Sequence, residues 1–140
     1  MPIEAVLDSN VFLFGFERPE SNSHRVLEKL AAGEFRGVVT DRIVREVIRY
    51  LRRNYGKDLS AQFREFILIT CDLALESDLD IRADVVALVG RKDAGALAAA
   101  RERGLRFLVS TDRDFGKVPE RRTPREFLLE LRDRARPGDE

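Results

Sequence analysis

The sequence predicts a single α/β domain with a mostly parallel central sheet of four or five strands flanked by helices. Its 140 residues, of which 44% are hydrophobic, suffice for one buried core. Short strand-like runs alternate with helical patterns, which is typical of parallel sheets. Charged residues interrupt every apolar stretch before the roughly 20 residues that a membrane span needs. We therefore expect one domain over residues 1–135 and a frayed tail over 136–140.

The first strand is predicted over Ile3–Leu7, a short apolar and partly β-branched run. The first helix that the residue pattern itself predicts covers Ser21–Ala32. Ser21 or Ser23 can cap its beginning, and Gly33 fits its end. The stretch 37–40, GVVT, is again typical of a buried strand.

Asp41 can cap the next helix, whose apolar residues recur at helical spacing on one side. A further helix is expected over Leu59–Ile67, after the break at Gly56. The apolar run ILITCDLAL is too short for its periodicity to distinguish a buried strand from the end of a helix. We expect a strand somewhere within 69–76.

Two helices are predicted in the second half, a short one over Ile81–Val89 and an alanine-rich one over Asp93–Arg103 that ends at Gly104. The stretch Arg106–Ser110 is the next strand, and the acidic turn 111–114 follows it. After Pro119, a short extended piece leads to a last helix that begins at Thr123-Pro124 and ends at about Arg134.

Composition excludes several classes of protein. The 25 basic and 25 acidic residues balance, so no global charge recruits a nucleic acid or an anionic membrane, and any polyanion must be held locally. Cys71 is the only cysteine, which rules out an internal disulfide and a cysteine zinc site. The beginning MPIEAVLD lacks the features of a signal peptide, so we expect a soluble, cytoplasmic protein without a membrane partner.

Acidic residues follow two of the predicted strands, Asp8 after the first and Asp112 with Asp114 after the fourth. Carboxyl ends of neighbouring parallel strands lie about 5 to 10 Å apart, at the edge where such folds bind ligands. Glu46 and Asp93 lie at helix positions that can face the same edge. A carboxylate cluster without Cys or His suits Mg²⁺ or Mn²⁺. Taken singly, each acid also has a plainer reading as a helix cap, a turn acid or a solvated side chain.

The order of these acids resembles that of the PIN-domain family, small metal-dependent ribonucleases that include many toxins of toxin–antitoxin pairs. Five segments along nearly the whole chain carry the resemblance: AVLDSNVFL, IVREVIRYL, RKDAGALAAARERG, FLVSTDRDF and TPREFLLEL. In the first, Asp8-Ser9-Asn10 is similar to the family's Asp, hydroxyl residue and Asn leading into a helix. The segment between Leu68 and Val89 departs from the pattern most.

The resemblance implies an endoribonuclease that uses one or two Mg²⁺ or Mn²⁺ ions and leaves a 5′-phosphate. Asp8, Asp93 and Asp112 would bind the metal, with Glu46 and Asp114 acting directly or through water. The catalytic acids would be Asp8, Glu46, Asp93 and Asp112. Short polar side chains would orient the carboxylates or metal-bound water; these are Ser9, Asn10 and Thr111. Arginines near the site are candidates for RNA binding, although plain surface is an alternative for each; they are Arg42, Arg45, Arg49, Arg91 and Arg113.

Partners and alternatives follow from the same reading. The resemblance implies a cognate antitoxin as partner and a homodimer, since most family members pair, and this chain offers apolar side chains at Val44, Ile48, Leu51 and Phe63. A phosphotransfer protein is disfavoured because position 10 is Asn and no Lys follows a strand suitably. A PIN-like scaffold that binds RNA or protein without cleavage stays open, although all four acids are present. His24, on the first predicted helix, is expected to be structural or exposed.

Overall fold

Five parallel strands form the centre of the molecule. The computed structural model describes residues 2–116 and 118–138, and within them the strands are β1 (Glu4–Leu7), β2 (Arg36–Thr40), β3 (Cys71–Ala74), β4 (Phe107–Val109) and β5 (Arg121–Arg122). They make one sheet in the order β3-β2-β1-β4-β5, and each neighbouring pair is parallel. The predicted α/β fold with a mostly parallel sheet is confirmed.

Helices cover both faces of this sheet, as parallel connections require. In the described residues they are α1 (Ser9–Glu17), α2 (Asn22–Ala31), α3 (Asp41–Tyr55), α4 (Lys57–Thr70), α5 (Ala83–Val89), α6 (Arg91–Glu102) and α7 (Pro124–Glu130). Helices α5 and α6 pack together on one face of the sheet. On the other face, α7 packs against α2, and α3 packs against both α1 and α4. Single 3₁₀ turns occur at Glu76–Asp78 and Arg113–Phe115.

The strand order creates a crevice at the carboxyl ends of β1 and β4. From β1 the chain proceeds outward to β2 and β3, then crosses back to β4 and proceeds to β5 on the other side. The connections that follow β1 and β4 leave in opposite directions, so the space beyond the carboxyl ends of these two strands stays open. Ligands of open α/β sheets bind in such a crevice. The register pairs Leu7 with Val109, which aligns the residues that follow these two strands.

Helix α6 presents its amino-terminal turn to this crevice. Every residue from Asp93 to Ala100 is buried, because the small alanines allow the helix to lie close against β1, β2 and β4, while Gly95 leaves room for the Glu76 side chain. Gly90 joins α5 to α6 with φ 87° and ψ 162°, a conformation that residues with a Cβ avoid. Gly56 joins α3 to α4 in the same way, with φ 96° and ψ 171°.

Several predicted boundaries differ from the structure. Thr40, and not Asp41, caps α3, because its Oγ1 accepts the Ile43 N–H at 3.2 Å. The last helix ends at Glu130 instead of about Arg134, since Arg132 adopts a positive φ of 60°. Helix α4 is longer than predicted at both ends, whereas β3 falls inside the predicted window 69–76.

The chain's end contacts the first half of the molecule. The buried Asn22 side chain donates to the carbonyl oxygens of Arg136 and Gly138, each at 3.0 Å, and accepts the Arg136 N–H at 2.8 Å. Of the tail predicted to fray over 136–140, residues 139–140 lie outside the described residues. In the described part of the chain, none of the helices has the length and apolar character needed to cross a membrane.

Candidate active site

Asp8 is a buried acid at the crevice. It follows β1 directly, its side chain is 6% exposed, and its backbone N–H donates to Val109 O at 3.0 Å. Three donors hold its carboxylate, and two of these hydrogen bonds are short. The backbone N–H of Ser9 donates to Oδ1 at 2.9 Å while Asp8 caps α1, and the Ser110 hydroxyl donates to Oδ2 at 2.7 Å. The apolar strand thus ends in an acid with a fixed orientation.

Two further carboxylates meet Asp8 across the crevice. Asp93 lies in the first turn of α6 and is 6% exposed, and Asp112 follows β4 and is half-buried. One ligand oxygen from each of Asp8, Asp93 and Asp112 lies within 4.8 Å of the other two. Residues up to 104 positions apart therefore form one cluster, which we call the acid cluster.

Burial and mutual repulsion disfavour the ionised form of the carboxyl groups in the acid cluster. Burial raises the pKa of Asp93 to about 7, with further increases from a hydrogen bond to Asp112 and from the charges of Asp8 and Asp112. Burial also raises the pKa of Asp8, although the hydrogen bonds from Ser110 and Ser9 oppose it. The charges of Glu46 and Asp112 add to the increase. A cation at this position would remove the repulsion.

The donor chemistry of the acid cluster fits a hard divalent cation. All three side chains offer carboxylate oxygens, the ligands that Mg²⁺ and Mn²⁺ prefer. Neither Cys71 nor His24 contributes: Cys71 is buried in β3, and the His24 ring nitrogen Nδ1 lies 2.9 Å from the carbonyl oxygen of Gly15 on α1. The predicted structural role of His24 agrees with this contact.

Glu46 and Asp114 lie beside the acid cluster and outside its three-carboxylate group. Glu46 is half-buried on α3, close enough to raise the pKa of Asp8, and its Oε2 lies 3.9 Å from Lys92 Nζ. Asp114 is exposed, and its backbone N–H donates to Asp112 Oδ1 at 2.9 Å. Asp114 therefore helps to orient Asp112 through its backbone.

A small polar network supports the acids, and Ser110 is its centre. Besides its bond to Asp8, the Ser110 Oγ accepts the Asp112 N–H at 2.9 Å, and Asn10 Nδ2 lies 3.4 Å from it. Asn10 Nδ2 also donates to Asp8 Oδ2 at 3.3 Å, while its Oδ1 accepts the Thr111 N–H at 3.4 Å. Of the predicted polar residues, Ser9 and Thr111 thus contribute their backbone N–H groups.

Sequence reasoning did not assign Ser110 to the site. The signal that could have found it is the position of a small hydroxyl residue at the end of the strand, two residues before Asp112. If β1 and β4 are neighbours in register, that residue must lie beside Asp8.

The five arginines predicted near the site differ in their surroundings. Arg45 donates to the Asp41 carboxylate at 3.1 Å, so it is engaged on the surface of α3. Arg42 is half-buried, whereas Arg49, Arg91 and Arg113 are exposed. Arg91 begins α6 and Arg113 follows Asp112, which places both near the acid cluster.

Comparison with known proteins agrees with this architecture. Residues 4–114 match the family model described as PIN domain. A toxin–antitoxin complex from Klebsiella pneumoniae is similar in structure, with a TM-score of 0.61 at 20% identity over 87% of this chain and 98% of that one. DNA-bound VapBC from Salmonella typhimurium gives 0.63 at 18% identity over 86% and 96%. The sarcin–ricin loop cleaving toxin VapC20 of Mycobacterium tuberculosis gives 0.55 at 15% over 80% and 92%.

The matched region extends from β1 to Asp114 and includes the whole acid cluster. The chain therefore belongs to the PIN-domain family. Among curated proteins, no relative matches the chain.

Proposed function

We propose that this protein is a divalent-metal-dependent endoribonuclease. The observation that carries the proposal is the approach of Asp8, Asp93 and Asp112 to within 4.8 Å at the crevice of a PIN domain. Asp8, Asp93 and Asp112 would hold Mg²⁺ or Mn²⁺. When bound, such an ion activates water for attack and neutralises charge on a phosphodiester.

The chain's own residues prepare the site for this chemistry. Ser110 and the Ser9 N–H fix both oxygens of Asp8, so one ligand is oriented before any cation arrives. Glu46 and Asp114 complete the proposed acidic set from outside the acid cluster. Hydrolysis breaks the bond between phosphorus and the 3′ oxygen, which takes up a proton, and leaves a 5′-phosphate on the following nucleotide.

The substitution Asp8→Asn tests this function. The amide keeps the shape of the side chain but removes a charged oxygen ligand, so metal-dependent cleavage of a mixed single-stranded RNA pool should be lost. The metal-free protein should stay folded, because the relieved repulsion, on the order of 1 kcal/mol, offsets the loss of one hydrogen bond that the carboxylate accepts. Cleavage is measured with Mg²⁺, with Mn²⁺ and with chelator, beside thermal melts of both proteins.

Two outcomes would contradict the proposal. If the Asp8→Asn protein cleaves as fast as the wild type, Asp8 is not a ligand in a nuclease. If the wild type binds RNA but cleaves none with either metal, the protein is the non-cleaving scaffold, the alternative reading of the sequence.

We further infer a biological role as the toxin of a toxin–antitoxin pair, acting on RNA in the cytoplasm. Its support is the likeness to chains solved as toxin–antitoxin complexes. Induction of the wild-type chain should arrest growth, and induction of the Asp8→Asn chain should not. Co-expression of a short neighbouring reading frame should relieve the arrest if that frame encodes the antitoxin.

A further inference from the structure

An open groove of about 560 Å³ leads away from the acid cluster between α1 and α3. Asn10, which donates to Asp8, lines its near end together with Glu46 and Lys92. Arg49, Tyr50 and Arg53 continue it along α3. Positions 46, 49, 50 and 53 recur at helical spacing, so they form one stripe about 10 Å long on this helix. We call this feature the α3 groove.

Charge makes the α3 groove attractive to a polyanion that the acid cluster itself repels. Its lining includes three cations, Arg49, Arg53 and Lys92, and one carboxylate, Glu46. Both arginines are exposed, and in the described part of the chain neither forms an ion pair. A phosphate backbone can therefore bind here without displacing an internal partner.

Tyr50 gives the α3 groove an aromatic surface that is already fixed in place. Its hydroxyl donates to Glu17 Oε2 at 2.8 Å, and the hydroxyl of Tyr55 donates to the same oxygen at 2.7 Å. The Tyr50 side chain is thereby held between α1 and α3, yet Tyr50 stays 37% exposed. When a base stacks on a ring that is already held in place, fewer rotatable bonds of the protein become immobilised. The entropic cost of binding is therefore smaller than with a mobile ring.

We propose that the α3 groove binds the single-stranded RNA that flanks the scissile phosphate, with Arg49 and Arg53 contacting phosphates and Tyr50 stacking against one base. This inference rests on the proposed nuclease function and adds the substrate path. It makes Tyr50 and the two arginines positioning residues, since none of them lies in the acid cluster.

The composition of the α3 groove favours RNA over a protein segment. Among its lining residues in the described chain, Leu13 is the only aliphatic one. The buried centre of a protein interface is usually depleted of Lys and Glu and rich in apolar side chains, whereas Glu46 and Lys92 both line this groove. Cations, amides and one aromatic ring match phosphates and bases instead.

A binding experiment isolates the arginines. Fluorescently labelled single-stranded RNA is titrated with the full chain in chelator, where no cleavage occurs, at several salt concentrations. The double substitution Arg49→Ala and Arg53→Ala should reduce the salt slope of the binding constant by about 1.4, roughly 0.7 for each lost phosphate contact. Arg103→Ala with Arg106→Ala is the matched control. It removes the same charge at the opposite edge of the sheet, between α6 and β4, and should leave the slope unchanged.

A second experiment isolates the ring of Tyr50. Tyr50→Leu should weaken RNA binding about tenfold, whereas Tyr50→Phe keeps the ring, loses only its hydrogen bond to Glu17, and should weaken binding by about two- to threefold. Abasic substitutions are then placed singly along the RNA. One position should weaken binding to the wild type and have no effect on Tyr50→Leu, because the stacking partner is already missing.

The possible results separate this inference from the proposed function. Wild-type affinity and salt slope in the groove variants would overturn the α3 groove as an RNA path, even if the protein cleaves RNA. Binding that depends on the groove in a protein without cleavage would overturn the nuclease and keep the groove. The same variants are also titrated with an acidic peptide. If they keep their affinity for RNA but lose affinity for the peptide, the groove binds protein and the inference is overturned.

Discussion

Ser110 determines how the buried carboxylate of Asp8 is held. Its hydroxyl is fully buried and connects two of the three acids, donating to Asp8 and accepting from the Asp112 N–H. A carboxylate this deeply buried depends strongly on each hydrogen bond that it accepts. The hydroxyl therefore stabilises the fold and also sets the spacing of the proposed ligands.

We expect Ser110→Ala to lower the free energy of unfolding by about 1 to 3 kcal/mol, because two hydrogen bonds to buried groups are lost together. Ser9→Ala is the matched control. Ser9 contacts Asp8 through its backbone N–H, which alanine retains, so the change should stay within about 0.5 kcal/mol. Urea denaturation of both variants in chelator measures the difference. Equal stability of the two variants would contradict the role assigned to the hydroxyl.

Among single residues, the sequence predicted best those whose side-chain chemistry has few roles in a folded protein. Carboxylates that follow apolar strands closely, such as Asp8 and Asp112, conflict with burial and so indicate a site. Serine after a strand has many uses, and only the pairing of Leu7 with Val109 shows that Ser110 lies against Asp8. That pairing is a property of the folded sheet and not of either segment.

At the scale of elements, two glycine junctions connect pairs of helices with the same backbone conformation. Gly56 lies between α3 and α4, and Gly90 lies between α5 and α6. No atom lies within 4 Å of a Cβ placed on either residue, so the cost of a side chain there comes from the backbone alone. The two junctions differ in function, because Gly90 begins the helix that carries Asp93.

Replacing each glycine by alanine should separate stability from metal binding. Both Gly90→Ala and Gly56→Ala should lower the free energy of unfolding by about 1 to 3 kcal/mol. Only Gly90→Ala should weaken Mn²⁺ binding, since strain at that junction displaces the first turn of α6. Denaturant melts and calorimetric titration with Mn²⁺ measure the two effects. Equal loss of Mn²⁺ affinity in both variants would show that metal binding follows global stability.

The elements that the sequence predicted best are those whose pattern is repeated several times. Helix α3 carries five apolar residues on one stripe, and its beginning was predicted within one residue of the observed start. Helix α1 begins directly after β1, and its apolar sequence gives no helical stripe; only the family resemblance indicated it. The last helix ended early because Arg132 leaves the helical conformation, which its side chain does not indicate.

For the whole molecule, the acid cluster makes metal-free stability depend on pH. The pKa of Asp93 is raised from 3.8 to about 7, so between these values the native state holds a proton that the unfolded chain has lost. The free energy of unfolding should therefore fall as pH rises through this interval and level off above about 7. Asp133 acts in the other direction at lower pH. Hydrogen bonds from Arg25 and Lys29 help to lower its pKa to about 2, so its contribution is present above 3.8 and lost as pH falls through 2.

Thermal melts in chelator from about pH 4 to about pH 8 test this dependence. The decline should be reduced in Asp93→Asn, whose side chain cannot ionise. Mn²⁺ should oppose the decline, because cation binding requires deprotonated ligands and therefore strengthens with pH. Metal-free stability that rises between about pH 5 and about pH 7 would contradict the assignment of a raised pKa.

The apolar residues from which the homodimer was predicted are only partly available at the surface, where Val44 and Ile48 are half-buried. Leu51 is fully buried in the core, and the half-buried Phe63 packs edge-on against Phe12, Phe16 and Phe66. Exposed apolar side chains instead lie at the end of α4 and on the edge strand β3, including Ile69, which is 66% exposed.

We expect the 16.0 kDa chain to sediment as a dimer at micromolar concentration and Ile69→Asp to sediment as a folded monomer. Leu129→Asp, at an exposed position on α7, is the control and should stay dimeric. A wild-type protein that sediments as a monomer would contradict the predicted dimer.

The position of β1 in the middle of the sheet has a consequence for how the protein is made. β1 leaves the ribosome about a hundred residues before its partner β4, and Asp112 follows β4. Contacts this distant in sequence form late in folding, after the intervening chain is available. A nascent chain that ends before Asp112 has two of the three carboxylates at most, so a ribosome that stalls or terminates early releases no complete site.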